Sequence, residues 1–471
     1  MAKYFSLTIG AAVTALAGCS FTPLYERPPA PVPAAYSHAS ATGDSTAMGW
    51  RDYFSDPVLQ RLITLALDSN RDLQLALLNV EQARAQLQIQ QSALMPSLSG
   101  VASANRGVSQ VTGDLGNTFT AGVAVSAWEL DFFGRIRSLK EAALAQYLAS
   151  DEGRQAVELT LVSSVAQTWL ALNADTELLE ISQRTLRTRE DSMRLARLRF
   201  DAGFSSELDY RQAESLTEGA RATLAQQTRQ QSLNENTLAL LLGQPVPVDI
   251  LTTLQGRRLA TATALTDIPA GLPSDLLQRR PDIRAAEQQL IAANAQIGAA
   301  RAAFFPSISL TGQYGSVSSE LSQLFSSGTW GFSFGPSIQI PLFTGGRLRA
   351  NLQATQAARD AAVAQYEKAI QVGFKEVSDA LASRATLAEQ ARAQTAQAAA
   401  ERKRFQLADL RYQNGVASYL DLLDAQRALF ALEQADVQVR LAQQLNQVNL
   451  YKALGGGWTE NAVGNPPISN R

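Results

Sequence analysis

Hydrophobic positions along this chain follow two periods, and the switches between them divide it. Val157, Leu161, Val165, Trp169 and Leu172 recur every three or four residues, as on one face of a helix. No proline interrupts 134–243. The pattern therefore predicts one helix running to a turn at Gly203 and another returning to Leu241-Leu242-Gly243-Gln244-Pro245, a Gly-then-Pro stop. Residues 346–413, also free of proline, carry the stripe Val363, Tyr366, Ile370, Phe374, Val377 and Leu381. At about 1.5 Å per residue that helix would be roughly 100 Å long, too long for the inside of a compact domain. Shorter helices are predicted from Asp56-Pro57, with Asp as N-cap and Pro at N1, and from Asn70 to Leu94, ended by Pro96.

Elsewhere the period falls to two. Leu98, Gly100, Ala102 and Ala104 alternate with Ser97, Ser99, Ser103 and Asn105. Turn signals follow at Gly113-Asp114 and Gly116-Asn117. Phe119, Ala121, Val123, Val125 and Ala127 then alternate with Thr118, Thr120, Gly122 and Ser126. A second pair has Ile308, Leu310, Gly312 and Tyr314 against Ser307, Ser309, Thr311 and Gln313, then Trp330, Phe332, Phe334, Ile338 and Ile340 against Gly331, Ser333, Ser337 and Gln339. Four strands per chain are expected.

The order of these elements repeats. Arg199-Phe200-Asp201-Ala202-Gly203-Phe204-Ser205-Ser206-Glu207-Leu208-Asp209 returns 212 positions later as Arg411-Tyr412-Gln413-Asn414-Gly415-Val416-Ala417-Ser418-Tyr419-Leu420-Asp421. Each copy sets Gly where a helix needs a left-handed C-cap, then Ser with Asp three residues on, a capping box for the next helix. The chain divides accordingly. Residues 57–267 form a first repeat, with strands at about 97–128 and a helical hairpin at about 134–242. Residues 268–454 form a second, with strands at about 307–343 and a hairpin at about 346–454. Residues 244–274 read as an irregular connector and 455–471 as a Gly/Pro/Asn tail.

The N-terminus changes the picture. Lys3 precedes an apolar stretch, Phe5 to Ala17, of signal-peptide length, and Leu16-Ala17-Gly18-Cys19 follows. This looks like a lipobox: 1–18 would be a lipoprotein signal peptide and Cys19 the lipid attachment site, carrying a diacylglycerol and an N-acyl group such as palmitate. Ser20 after it resembles lipoproteins sent on to the outer membrane. Residues 19–56 then form a lipidated tether, with Pro23, Pro28, Pro29, Pro31 and Pro33 favouring extended chain over a core. With one Cys no intrachain disulfide is possible. Net charge is −2, which gives no nucleic-acid footprint. No run of about 18 apolar residues exists, which excludes a transmembrane helix but not a membrane β-barrel.

Four strands cannot close a membrane barrel alone, since about eight is the practical minimum. Either they form a soluble sheet or several copies build one barrel. Aromatics at the strand ends (Trp128, Phe132, Phe133, Phe304, Phe305, Trp330, Phe343) and the lipobox favour the second arrangement.

Several stretches together give a resemblance. They are Leu276-Leu277-Gln278-Arg279-Arg280-Pro281-Asp282-Ile283-Arg284-Ala285-Ala286-Glu287, Ala303-Phe304-Phe305-Pro306, Pro341-Leu342-Phe343-Thr344-Gly345-Gly346-Arg347, Tyr419 to Gln426, and Leu450 to Trp458. With the lipobox they resemble the TolC-like outer-membrane factors, in particular the lipoprotein branch of RND multidrug efflux systems (OprM/NodT type). The resemblance implies a mainly α fold with membrane β: a trimer whose 12-stranded β-barrel lies in the outer membrane, continued by a long α-helical periplasmic barrel built from two tandem structural repeats. Three copies of four strands match that number. It implies an exit duct passing small-molecule drugs or toxic compounds. The implied partners are a periplasmic adaptor (membrane fusion protein), through it an inner-membrane RND-type transporter, and outer-membrane lipid. Cofactors and metals are not expected.

Carried onto this chain, the resemblance makes the helix tips a periplasmic gate. Leu420 would form an apolar ring, and Asp421 and Asp424 carboxylate rings where three copies converge. Like-charge proximity there should raise proton affinity. Arg411, Tyr412 and Arg427 match positions that bridge neighbouring helices, and Asp209 is the first-repeat counterpart of Asp421. Asp421 and Asp209 are equally explained as capping residues; Asp424 is not. Some relatives carry an Arg two residues after the tip Gly, where this chain has Ala417. Gly203, Phe204 and Ser205, with Gly415, Val416 and Ala417, would form the adaptor-docking tips.

Other functions have less in their favour. Gly331-Phe332-Ser333-Phe334-Gly335 fits G-x-S-x-G but lies within an alternating strand, and the only His, His38, is in the tether. No enzyme is expected. A lipid-anchored adaptor scaffold would have one hairpin, not two. A duct for type I protein secretion shares the architecture, and the lipobox leans towards efflux.

Overall fold

A computed structural model describes residues 20–36, 48–108, 113, 115–254, 256–259, 276 and 279–456. Cys19 with its signal segment, His38 and residues 457–471 of the tail lie outside the described residues. A helical turn α1 (Trp50–Tyr53) precedes α2 (Pro57–Ser69) and α3 (Arg71–Ser92). Then come β1 (Leu98–Val108), β2 (Leu115–Leu130), α4 (Arg135–Asp201), α5 (Glu207–Leu242) and a short α6 (Val248–Leu254). The second round is α7 (Pro281–Ala302), β3 (Ser307–Ser318), β4 (Trp330–Gln339), α8 (Arg347–Gln413) and α9 (Tyr419–Ala453). Helices α4 and α8 have 67 residues each, as the proline-free stripes require. Among the described residues no helix is long and apolar enough to cross a membrane.

The strands form one antiparallel sheet in the order β1-β2-β3-β4, leaving β1 and β4 at its edges. Three details differ from the sequence reading. The ladder runs further out: Gly116 and Asn117, expected in a turn, pair with Gly107 and Arg106. The alternation in β2 does not hold through Ala127, which has φ 49° at a register shift between Val125 and Trp128. This is a β-bulge, and its extra residue moves the following side chains to the other face. The connector 244–274 contains α6, which buries Ile250 and Leu254 in a stretch too short to show a period.

The chain packs into two compact units, Met1–Ala30 with Leu77–Glu152 and Arg284–Ala369, and Pro31–Ala76 with Gly153–Ile283 and Ile370–Arg471. Each sequence repeat contributes to both; in the first unit β2 of the first repeat pairs with β3 of the second. In the first unit the tether is extended, as its prolines predict, yet pinned. Phe21 stacks on Phe305 at 4.5 Å, and Phe305 on Phe133 at 5.1 Å. Arg27 forms a two-pronged pair with Glu287 at 2.6 and 2.9 Å, and the Tyr25 hydroxyl donates to the same carboxylate at 2.9 Å. Gly298 makes this possible: a Cβ there would lie 2.3 Å from Thr22 Oγ1 and 2.8 Å from Thr22 Cα.

The second unit holds the main core, with Trp169, Phe54, Leu170 and Leu242 fully buried and Tyr53 stacked on Tyr451 at 4.4 Å. Asp56 ties this core together. Its Oδ1 caps α2 by accepting from Val58 N at 3.0 Å, while Oδ2 accepts from Trp169 Nε1 at 3.0 Å and from Arg257 at 3.1 Å. Asp56→Ala should cost about 2–4 kcal/mol, the lost cap adding to a buried indole N–H left without an acceptor. Asp56→Asn keeps a capping oxygen and should cost less. Denaturant unfolding of the two variants measures the difference.

Candidate functional site

Both hairpin tips belong to the second unit, and both are built the same way. Helix α4 ends in a Schellman motif, with Phe204 N donating to Arg199 O at 2.8 Å and Gly203 N to Phe200 O at 2.9 Å. Helix α8 ends likewise, with Val416 N to Arg411 O at 2.9 Å and Gly415 N to Tyr412 O at 3.0 Å. The reversal needs φ of 77° at Gly203 and 71° at Gly415, which side chains with a Cβ resist. Ser206 and Ser418 then open α5 and α9 with complete capping boxes. In each box the Asp carboxylate accepts from the Ser hydroxyl at 2.8 Å and from the Ser backbone N–H at 3.2 Å. Asp209 and Asp421 are thus engaged locally. Beyond the caps the tips are apolar and open to solvent: Phe204 is 84% exposed, Val416 66% and Leu420 64%.

Asp424, one turn into α9, is engaged differently. It accepts from Arg427 at 3.0 Å on its own helix and from both terminal nitrogens of Arg404 on α8 at 3.2 Å. Arg404 in turn holds Glu401 at 2.6 Å. The sequence reading expected neighbouring carboxylates to raise the proton affinity of Asp424. Within one protomer the sign is reversed: Arg427 first, and Arg404 second, hold its carboxyl below the usual Asp range. Within one protomer Arg427, expected to bridge neighbouring helices, pairs along its own helix, as i,i+3 neighbours lie on one face. Arg411 is exposed.

The two tips meet through Tyr412. The Arg199 guanidinium of α4 lies 5.0 Å over its ring and donates to its hydroxyl. Tyr412 packs at 5.4 Å against Tyr419, whose own hydroxyl is buried without a partner among the described residues. Burial first, and then the fields of Tyr412 and Asp209, push the Tyr419 phenol up to about 12. Further along the helices Glu433 of α9, with 7% of its side chain exposed, joins Arg184 of α4 at 2.8 Å and Arg402 of α8 at 2.6 Å. Arg440 of α9 joins Glu177 of α4 at 2.8 Å. These pairs border a cavity of about 520 Å³ with polar walls. Arg199, Arg404 and the Glu433 cluster were not among the residues expected from sequence. Only Arg199 had a signal there, as the counterpart of Arg411 at an offset of 212. Among the described residues no group of His, Cys, Asp or Glu is placed to hold a metal ion.

Comparison with known proteins gives a consistent result. The family model described as outer membrane efflux protein matches residues 62–244 and 272–456, both repeats. The chain is 46% identical over 465 residues to a probable efflux pump outer membrane protein, TtgC, of Pseudomonas putida, covering 95% of each chain. It is 42% identical over 468 residues to outer membrane protein OprJ of Pseudomonas aeruginosa, covering 98% of this chain and 96% of that one. The open-state structure of the Neisseria gonorrhoeae MtrE outer membrane channel superposes with a TM-score of 0.85 at 40% identity, over 93% of this chain and 98% of the other.

The buried Tyr419 hydroxyl yields a test. Its removal in Tyr419→Phe takes away an unpaired polar group, so stability at neutral pH should be unchanged or slightly higher. A phenol whose pKa is raised on folding contributes stability that is complete below its unfolded value, about 10, and is lost as pH rises towards about 12. Phenolate absorbance and tip proteolysis should therefore report an alkaline transition in that window that the Phe variant lacks.

Proposed function

The chain belongs to the outer membrane efflux protein family, and on that premise we propose that three copies build one exit duct with a periplasmic gate at the hairpin tips. It has the TolC-like fold of two tandem repeats, mainly helical with one antiparallel sheet, and is an outer-membrane efflux channel that extends into the periplasm.

One observation carries the trimer: β1 and β4 leave both sheet edges open. Open edges are not tolerated in lipid, and pairing β4 of one copy with β1 of the next closes a ring. Three copies give 12 strands, within the range of known outer-membrane barrels. The exposed apolar side chains of β4, Phe332, Phe334 and Ile338, fit a lipid-facing surface. Cys19 carries the diacylglycerol and N-acyl lipid that adds a second anchor.

The gate closes where three α8–α9 tips converge, with Leu420 as an apolar constriction and Asp421 and Asp424 as carboxylate rings. Arg404 and Arg427 hold Asp424, and Arg411, Arg199 and Tyr412 hold neighbouring tips together. Asp209, through its capping box, keeps the first-repeat tip in shape. A periplasmic adaptor docks on Gly203, Phe204 and Ser205 and on Gly415, Val416 and Ala417, where exposed Gly203, Phe204, Gly415 and Val416 beside half-buried Ser205 and Ala417 fit an interdigitating helical hairpin. The duct performs no chemistry. An inner-membrane RND-type transporter supplies the energy, the adaptor opens the gate, and small-molecule drugs or toxic compounds pass outwards.

Single-channel recording in a planar bilayer tests this. Asp424→Ala, and Arg411→Ala combined with Arg427→Ala, should raise conductance over the unsubstituted trimer. Because the Asp424 carboxyl lies below its usual range, its ion pairs persist through neutral pH and are lost only as pH falls below about 4. Wild-type conductance should therefore rise under acid, and the Asp424→Ala channel should not respond there. Unchanged conductance in all these variants would remove the gate assignment.

A further inference from the structure

About four helical turns before Gly203, α4 packs against α8 and α9 around a cavity of about 90 Å³. It is separate from the tip contacts and is lined by a buried cation, Arg189, that has no ion pair among the described residues. Arg189 is only 6% exposed. Its Nη1 donates to the Leu216 carbonyl at 2.9 Å and its guanidinium lies 5.1 Å from the centre of the Phe430 ring. Its Nε has no hydrogen-bond partner among the described residues. Burial first, and the charge of Arg427 second, weaken its hold on its proton; no carboxylate contributes. Glu433, the one carboxylate on the cavity wall, already serves both Arg184 and Arg402. A buried cation without a counter-charge is costly, so an orphaned donor beside a cavity calls for an occupant.

Gln426 adds a second polar end. It lines the same cavity at 7% exposure, with Oε1 unpartnered and Nε2 3.4 Å from Ser192 Oγ. Turning the amide over places Oε1 on the Ser192 hydroxyl and the NH₂ where the unpartnered oxygen stands, with no change in shape. The Arg189 Nε–H and the Gln426 NH₂ are then two unpartnered donors in a wall otherwise largely apolar, with Phe405, Leu429 and Phe430. At about 30 Å³ per water it has room for a halide and one or two waters, and not for a nucleotide or a lipid headgroup.

We propose that this cavity is a binding site for a small monovalent anion of chloride size, held by the Arg189 Nε–H and the Gln426 amide. The anion ties α4 to α9 by giving Arg189 a counter-charge that also meets the Gln426 amide. This inference rests on the packing of the hairpins and stands independently of the duct reading.

The test uses the full-length protein in detergent. Thermal unfolding is followed in sodium chloride, sodium bromide and sodium gluconate at equal ionic strength, and crystals are soaked in bromide. The unfolding midpoint should rise and saturate with either halide but not with gluconate, and Arg189→Gln should abolish the difference. Anomalous scattering should place bromide within hydrogen-bond distance of Arg189 Nε. If Arg189→Gln does not fold, the bromide crystal of the unsubstituted protein decides. Equal midpoints in all three salts, a halide effect kept by Arg189→Gln, or only water beside Arg189 would overturn the proposal. Bromide density without any effect on unfolding would mark an adventitious ion only, and would overturn it as well.

Discussion

A strand at the edge of a sheet carries a row of N–H and C=O groups that need partners, and a lipid core supplies none. This chain has two such rows, on β1 and β4. In the proposed duct, where the sheet lies in lipid, they cannot stay open, so assembly would be a requirement of the backbone before it is a matter of side-chain affinity. The same constraint explains why a single copy exposes so much apolar surface along β4, and why each strand pair is tied directly to a long helical hairpin. On that proposal copies that share a barrel would also bring their hairpins together, with the free ends of those hairpins as the proposed gate.

At those ends the chemistry divides into two layers. The outermost turns spend their carboxylates on themselves, Asp209 and Asp421 being closed into capping boxes that shape the reversal. One turn deeper, ion pairs connect helices: Asp424 with Arg404, and beyond it Glu433 with Arg184 and Arg402. The tip pairs are exposed, so each is worth little alone and weakens with salt. If the tips are the gate, as proposed, many weak links of this kind would let an adaptor open it without unfolding either hairpin. Further along, Glu433 is buried while its partners Arg184 and Arg402 stay about half exposed, so these links are less screened than those at the tips.

Much of this was legible in the sequence because it is local or repeated. Helices α4 and α8 follow from proline-free stripes, and the tips from Gly at the left-handed position followed by Ser and Asp. What escaped reading is either irregular or distant. The bulge at Ala127 places a residue with a Cβ at positive φ, which no composition signals. The pinning of the tether pairs Arg27 with a carboxylate 260 positions away, and Arg184 meets Glu433 across 249. Such partners are set by packing, which periodicity does not encode. The pairing of Asp424 within one protomer escapes the sequence for the same reason, since Arg404 lies 20 positions upstream on another helix. Arg199 is the exception: the repeat offset already marked it as the partner position of Arg411.

Native mass spectrometry of the particle, extracted from outer membranes in mild detergent, tests the central claim most directly. The account predicts a trimer whose subunit begins at Cys19 bearing diacylglycerol and an N-acyl chain. A monomer, or an unacylated soluble species, would contradict it, because the edges of β1 and β4 would then remain open and the sheet could not lie in lipid.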